Sequence, residues 1–140
     1  MNYYAEYSDS TTQTVTAADT PTVITYNTTE IQNGFTLVSG SKITPTYSGI
    51  YEFGFSPQVE KTQGTNCRIE FWIRKNGTDV IRTGSYIDLV SNSTIQLPYV
   101  SLILDLVQGD YVELIFAAST QYGQITAIAA GSSPYTSPAD

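Results

Sequence analysis

The sequence predicts an all-β fold, an antiparallel β-sandwich, and three observations carry that prediction. Strand-favouring residues dominate the 140-residue chain, with eleven tyrosines and abundant threonine, whereas runs of alanine, leucine, glutamate and lysine are absent. Apolar and polar residues alternate at period two in several segments, as they do in strands with one face turned inward. Eight or nine such segments follow one another at close spacing, which indicates a sandwich or jelly roll. A chain of this length makes one domain.

Taken in order, residues 1–10 are polar and tyrosine-containing without sustained alternation, and read as an N-terminal arm. Thr12 to Ala17 is the first candidate strand, followed by a turn at Asp19, Thr20 and Pro21 and an extended piece through Val23, Ile24 and Tyr26. Asn33-Gly34 suits a turn with positive φ before Phe35 to Val38, and Ser39-Gly40-Ser41 breaks the chain again before Lys42 to Thr46. From Ile50 to Val59, Tyr51, Phe53 and Phe55 fall on one face, the expected centre of the core. Cys67, Ile69, Phe71 and Ile73 form the next inward set, with Arg68, Glu70, Trp72 and Arg74 opposite. Asn76-Gly77 is a hairpin signal, and Val80, Ile81 and Arg82 begin the return. Thr94 to Leu106 is extended and apolar, with Leu102, Leu104 and Leu106 on one face; Gln108-Gly109-Asp110 turns into Tyr111 to Phe116, where Val112, Leu114 and Phe116 point inward. Ile125 to Ala130 supplies the last strand. The sandwich or jelly-roll domain thus spans 11–131, and 132–140, broken by Pro134 and Pro138, is a C-terminal tail.

Composition excludes several functions. Thirteen acidic against six basic residues give a net charge of -7, so phosphate backbones and anionic lipid are repelled and neither nucleic acid nor membrane insertion is expected. No apolar stretch approaches the length of a membrane span, and the N-terminus has no basic segment leading into a hydrophobic one, which argues against classical secretion. Histidine is absent, which excludes a serine-histidine hydrolase. Cys67 is the single cysteine, forbids an intramolecular disulfide and reads as a small buried hydrophobe. Glu52, Glu70 and Glu113 read as solvated or interfacial charges on strands. Asp105 and Asp110 lack the spacing of a known metal loop, and the ten glycines are scattered at turns and strand breaks. The expectation is a protein that works by binding and assembly, not an enzyme, with no cofactor and no metal.

Two segments carry a family resemblance. Ser48-Gly49-Ile50-Tyr51-Glu52-Phe53-Gly54-Phe55 resembles the glycine-tyrosine-x-phenylalanine strand of C1q/TNF-like jelly rolls, and Leu104 to Leu114, with Gln108-Gly109-Asp110 at its turn, resembles their late hairpin. Across roughly Thr12 to Ala130 the chain is similar to small C1q-like domains of bacteriophage and other viral structural proteins. Ile43-Thr44-Pro45, Trp72 to Gly77 and the Ser133-Pro134-Tyr135 tail add to that likeness. A complement or cytokine relationship is weakened by the missing disulfide.

The resemblance implies a tight homotrimer, and a small jelly roll gains from one physically, because exposed apolar residues become a second core when three copies meet. The expected seam residues are Ile50, Trp72, Tyr111, Ile115, Ile125 and Ala127. For Trp72, shielding a sheet edge or lying over Arg68 or Arg74 stays open beside a subunit contact. The implied function is a capsid decoration or cement protein on the external surface of the virion, stabilising the shell, with Tyr3, Tyr4 and Tyr7 as capsid contacts. The alternative is a knob of a viral fibre that binds a host-surface glycan or receptor.

Overall fold

The computed structural model describes residues 2–128. They form fourteen strands: β1 (Tyr4–Ser8), β2 (Gln13–Thr14), β3 (Thr22–Val23), β4 (Thr28–Asn33), β5 (Phe35–Val38), β6 (Lys42–Pro45), β7 (Gly49–Phe55), β8 (Val59–Lys61), β9 (Cys67–Lys75), β10 (Thr78–Asp79), β11 (Ser85–Leu89), β12 (Val100–Leu106), β13 (Val112–Ala118) and β14 (Gly123–Ile125). No helix occurs among the described residues. Every pairing is antiparallel, and the sheets pack face to face as a β-sandwich.

One layer is a seven-stranded sheet in the order β10-β9-β13-β6-β5, with β11 also on β9 and β3 on β13. Its spine is the β9–β13 ladder, which runs from Val112 opposite Lys75 to Ala118 opposite Ile69. The facing layer is made of two short assemblies, β12–β7 and β2–β14–β8. The period-two pattern explains the division of side chains: Cys67, Ile69, Phe71 and Ile73 of β9 and Val112, Leu114, Phe116 and Ala118 of β13 all enter one buried cluster. Phe71 is its centre, edge-on to Phe55 at 5.8 Å between ring centroids and stacked on Phe116 at 6.4 Å. Gly123 lets β14 close over this core, because a Cβ there would stand 2.7 Å from the Cys67 sulfur and 2.8 Å from the Ala118 Cβ.

Turn chemistry fixes one end of the sandwich. Asn76 (φ 50°) and Gly77 (φ 81°) both take the left-handed conformation that a two-residue hairpin requires. Asn76 then bonds across to the next turn: its amide donates to Asp110 at 2.7 Å, and its Oδ1 accepts from the Tyr111 N–H at 2.9 Å. Asp110 also accepts from the Val107 N–H at 2.9 Å and pairs with Lys75 at 3.2 Å. Asn76 comes first among the causes that hold the Asp110 carboxyl below the ordinary aspartate range, followed by the Val107 amide and Lys75. This carboxylate is thus a turn staple. Elsewhere Lys61 is fully buried, and its ammonium donates to the Gly64 carbonyl at 3.0 Å and to the Asn92 side chain.

The structure differs from the sequence expectation at both ends of the chain. Tyr4–Ser8, expected within a loose arm, pairs with β4 from Tyr4 opposite Asn33 to Ser8 opposite Thr28. β4 itself was not foreseen, since all six of its residues are exposed and carry no alternation. At the far end β14 covers Gly123–Ile125; residues 129–130 of the expected last strand and the expected tail at 132–140 lie outside the described residues. The first candidate strand shortens to Gln13–Thr14, and the hairpin return starts at Thr78, with Val80 to Arg82 in the following loop.

Candidate functional site

The β7–β12 ribbon differs from the β9–β13 ladder in how little of it is covered. Its register sets Ile50 opposite Asp105, Glu52 opposite Ile103 and Gly54 opposite Ser101. Alternation therefore turns Tyr51, Phe53 and Phe55 toward the core together with Val100, Leu102 and Leu104. All six remain only half-buried. On the outward face Ile50 is 74% exposed and Ile103 is 72% exposed. They are diagonal neighbours, close enough to act as one apolar surface. Tyr99 extends this face by lying across Gly54, where a Cβ would meet the tyrosine hydroxyl at 2.7 Å. Leu97 and Ile95 continue the apolar surface along the approach to β12, and both are exposed. The polar member nearest the centre is Glu52, whose carboxylate is occupied by the Ser101 hydroxyl at 2.7 Å.

Between β1 and β7 runs an aromatic groove of about 750 Å³, with Tyr3, Tyr7 and Tyr26 along one side and Tyr51, Phe53 and Phe55 along the other. Ile24, Leu114 and Ile125 contribute to its lining. The Tyr26 hydroxyl is buried with no hydrogen-bond partner among the described residues. Burial, followed by the nearby Asp9 charge, raises its pKa beyond the ordinary tyrosine range.

The expected seam residues do not share one surface. Ile115 and Ile125 are fully buried within the single chain and offer nothing to a partner. Ile115 lies opposite both Trp72 and Val23 in its two ladders, so the outward side of β13 is covered locally. Glu113, on the same side, is buried too and accepts from the Ser41 hydroxyl at 2.8 Å. Tyr111 is half-buried, with the Lys42 ammonium 4.7 Å from its ring centroid. Ala127 is half-buried and its N–H donates to the Thr12 hydroxyl at 3.0 Å. Trp72 belongs to the outer face of the seven-stranded sheet, across the core from Ile50, so the two could meet only in a head-to-tail contact between unlike faces of neighbouring copies.

The N-terminal tyrosines are similarly divided. Tyr3 stacks on Tyr47 at 4.6 Å and packs against Gly34, whose φ of 81° and missing Cβ make room for the ring. Tyr7 donates to the Gln32 side chain at 3.0 Å, and its ring lies 6.0 Å from that of Tyr26. Tyr4 is 48% exposed and is the most open of the three.

The exposed stripe that the sequence reading missed was nonetheless encoded. Residues 95, 97, 99, 101 and 103 read Ile, Leu, Tyr, Ser, Ile at period two, in the opposite phase to Leu102, Leu104 and Leu106. With apolar residues in both phases, the inward phase concealed the outward one.

The candidate chemical groups are engaged structurally or stand apart. Cys67 is fully buried, and among the described residues no three His, Cys, Asp or Glu side chains gather as a metal site. No family model and no curated protein matches this chain.

Proposed function

We propose that this chain is a C1q/TNF-like jelly-roll subunit that forms a homotrimer and serves as a capsid decoration or cement protein on the outside of a virion. The topology is compatible with the first part: the chain passes from β6 in the seven-stranded layer to β7 and β8 in the facing one, back to β9, β10 and β11, and then through β12, β13 and β14 in alternate layers. The observation that carries self-association is the outward face of β7–β12, where Ile50, Ile103 and Tyr99 are exposed side by side. Soluble monomers seldom leave so much contiguous apolar surface in water. In the proposed assembly three such faces bury one another, and the joined subunits bridge neighbouring shell proteins, with Tyr4 among the rings available for docking. A receptor- or carbohydrate-binding knob is the second reading, favoured by a pocket on the opposite layer.

The test is the native mass of the full chain and of the double variant I50D/I103D, each alone and after mixing with empty shells of its source. The wild type is expected to be a trimer that loads shells to saturation. The variant is expected to be a folded monomer with the same far-ultraviolet circular dichroism, and to load poorly. A wild-type monomer that ignores shells would remove both parts of the proposal; a trimer that ignores them would remove the decoration role.

A further inference from the structure

A second concave surface lies across the core from the apolar face and uses different chemistry. Arg68, Glu70 and Trp72 alternate along the outward side of β9, and Ala117 stands opposite Glu70 in the ladder. The small Ala117 side chain and the bend at Asp19 and Pro21 leave a pocket of about 280 Å³ beside the indole, bounded also by Ala118 and Ser119. This is near the lower end of ligand-site volumes, the size for a single small ring.

Its walls are held in place before any ligand arrives. The indole N–H of Trp72 donates to Asp79 at 2.9 Å, and Arg74 donates to the same oxygen at 2.9 Å, which fixes the ring. Arg68 makes two bonds to Asp88, at 2.9 and 3.2 Å, and lies 3.9 Å from the Tyr86 ring centroid. The Asp19 N–H is tied to the Ala118 carbonyl at 2.8 Å. Against these restrained groups, the carboxylates of Glu70 and Asp19 make no hydrogen bond or ion pair among the described residues, and both residues are exposed.

We propose that this pocket binds a neutral saccharide ring, with Trp72 as the stacking platform and Glu70 and Asp19 as hydroxyl acceptors. An indole face offers broad apolar contact to the C–H face of a pyranose. Carboxylates accept hydroxyl hydrogen bonds more strongly than neutral groups do. The two carboxylates and the chain's net charge of -7 oppose an anionic ligand, and Arg68 is already bonded twice to Asp88, so the groups a ligand must satisfy are chiefly acceptors. A hydroxyl donates, so a polyhydroxylated neutral ring satisfies them. Preorganised walls reduce the ordering cost that limits weak ligands. The site gives the knob reading a location and does not depend on self-association.

Trp72 is the chain's single tryptophan, so its emission reports this pocket alone. The full chain is titrated with methyl glycosides of glucose, galactose, mannose and N-acetylglucosamine, and with sialic acid and glucose 6-phosphate as anionic comparators. A saturable emission change with at least one neutral glycoside is expected, with a dissociation constant on the order of 1 mM, unchanged in I50D/I103D. E70Q, a substitution at an exposed position, is expected to weaken binding about tenfold, while saturation-transfer NMR on W72F shows the sugar signal lost in a folded protein. The proposal is overturned if no neutral glycoside saturates, if the anionic sugars bind as well as the neutral ones, or if E70Q and W72F bind like the wild type.

Discussion

The two long ladders of this molecule have similar sequence patterns and different fates. In β9–β13 the inward residues are buried almost without remainder, Ile69, Ile73 and Phe116 being fully inaccessible. In β7–β12 the inward residues are equally apolar but only half-buried, and the outward face carries further apolar residues in water. The first ladder has strands on both sides and a layer across the core, whereas β7–β12 pairs only within itself. Alternation thus specifies which side chains share a face; neighbouring strands and layers determine how completely that face is covered. A ladder finished within the monomer contributes to folding, and a ladder left half-covered retains apolar surface for association.

The sharpest way to break this comparison is a pair of truncations. Phe71→Ala should cost about 3–5 kcal/mol in chemical denaturation, the range for emptying an aromatic core site. Phe53→Ala, on the half-covered ribbon, should cost about 1–2 kcal/mol because less apolar area leaves the core. Equal losses would show that the ribbon supports the monomer fold as strongly as the ladder does.

Acid sharpens the comparison at the stapled end of β9–β13. The Asp110 carboxyl is held below its ordinary range in the folded protein, so its contribution is present above the unfolded pKa and lost as pH falls through the folded value. Asp110→Asn should therefore be less stable than wild type at neutral pH. The difference between the two should shrink as the pH drops from about 4 toward 2, measured as melting temperature against pH. A gap that stays constant across that window would detach Asp110 from the acid sensitivity of the fold.

The smallest expected effect is in the groove. Tyr26→Phe removes an unpartnered hydroxyl, so stability near neutral pH should hold or rise by up to about 1 kcal/mol. The Tyr26 pKa is raised on folding, and the stability attached to its neutral form is lost as pH climbs past the ordinary tyrosine value. The variant should accordingly tolerate alkaline conditions better than wild type in the same melting assay. A loss of stability at neutral pH would mean that the hydroxyl holds a partner in solution.

Much of the fold was legible because its strongest segments obey one physical rule. Cys67 to Ile73 and Val112 to Phe116 alternate clearly, and the Asn76-Gly77 turn has no competing interpretation. β4 was illegible because a ribbon exposed on both faces needs no apolar period; its pairing with β1 is a tertiary event. Ile115 shows the complementary difficulty: a side chain on the outward phase was equated with an exposed one, yet it is flanked by Val23 and Trp72 in its two ladders and fully buried in the single chain. Of the proposed assembly face, Ile50 was readable from the sequence. Ile103 and Tyr99 required the β7–β12 register, which brings together residues about fifty positions apart in the chain.

The close approach of Gly123 to Cys67 also has a kinetic consequence. The sulfur sits where even one added methyl group would collide, and the thiol is inaccessible in the closed molecule. A thiol reagent can reach it only when the closed molecule opens, and lifting β14 from the core is one such opening, so the labelling rate of this single cysteine measures how often the sandwich breathes. Under the proposed decoration role, comparing that clock for the protein alone and mixed with shells would separate docking that tightens the interior of each subunit from docking that leaves it unchanged.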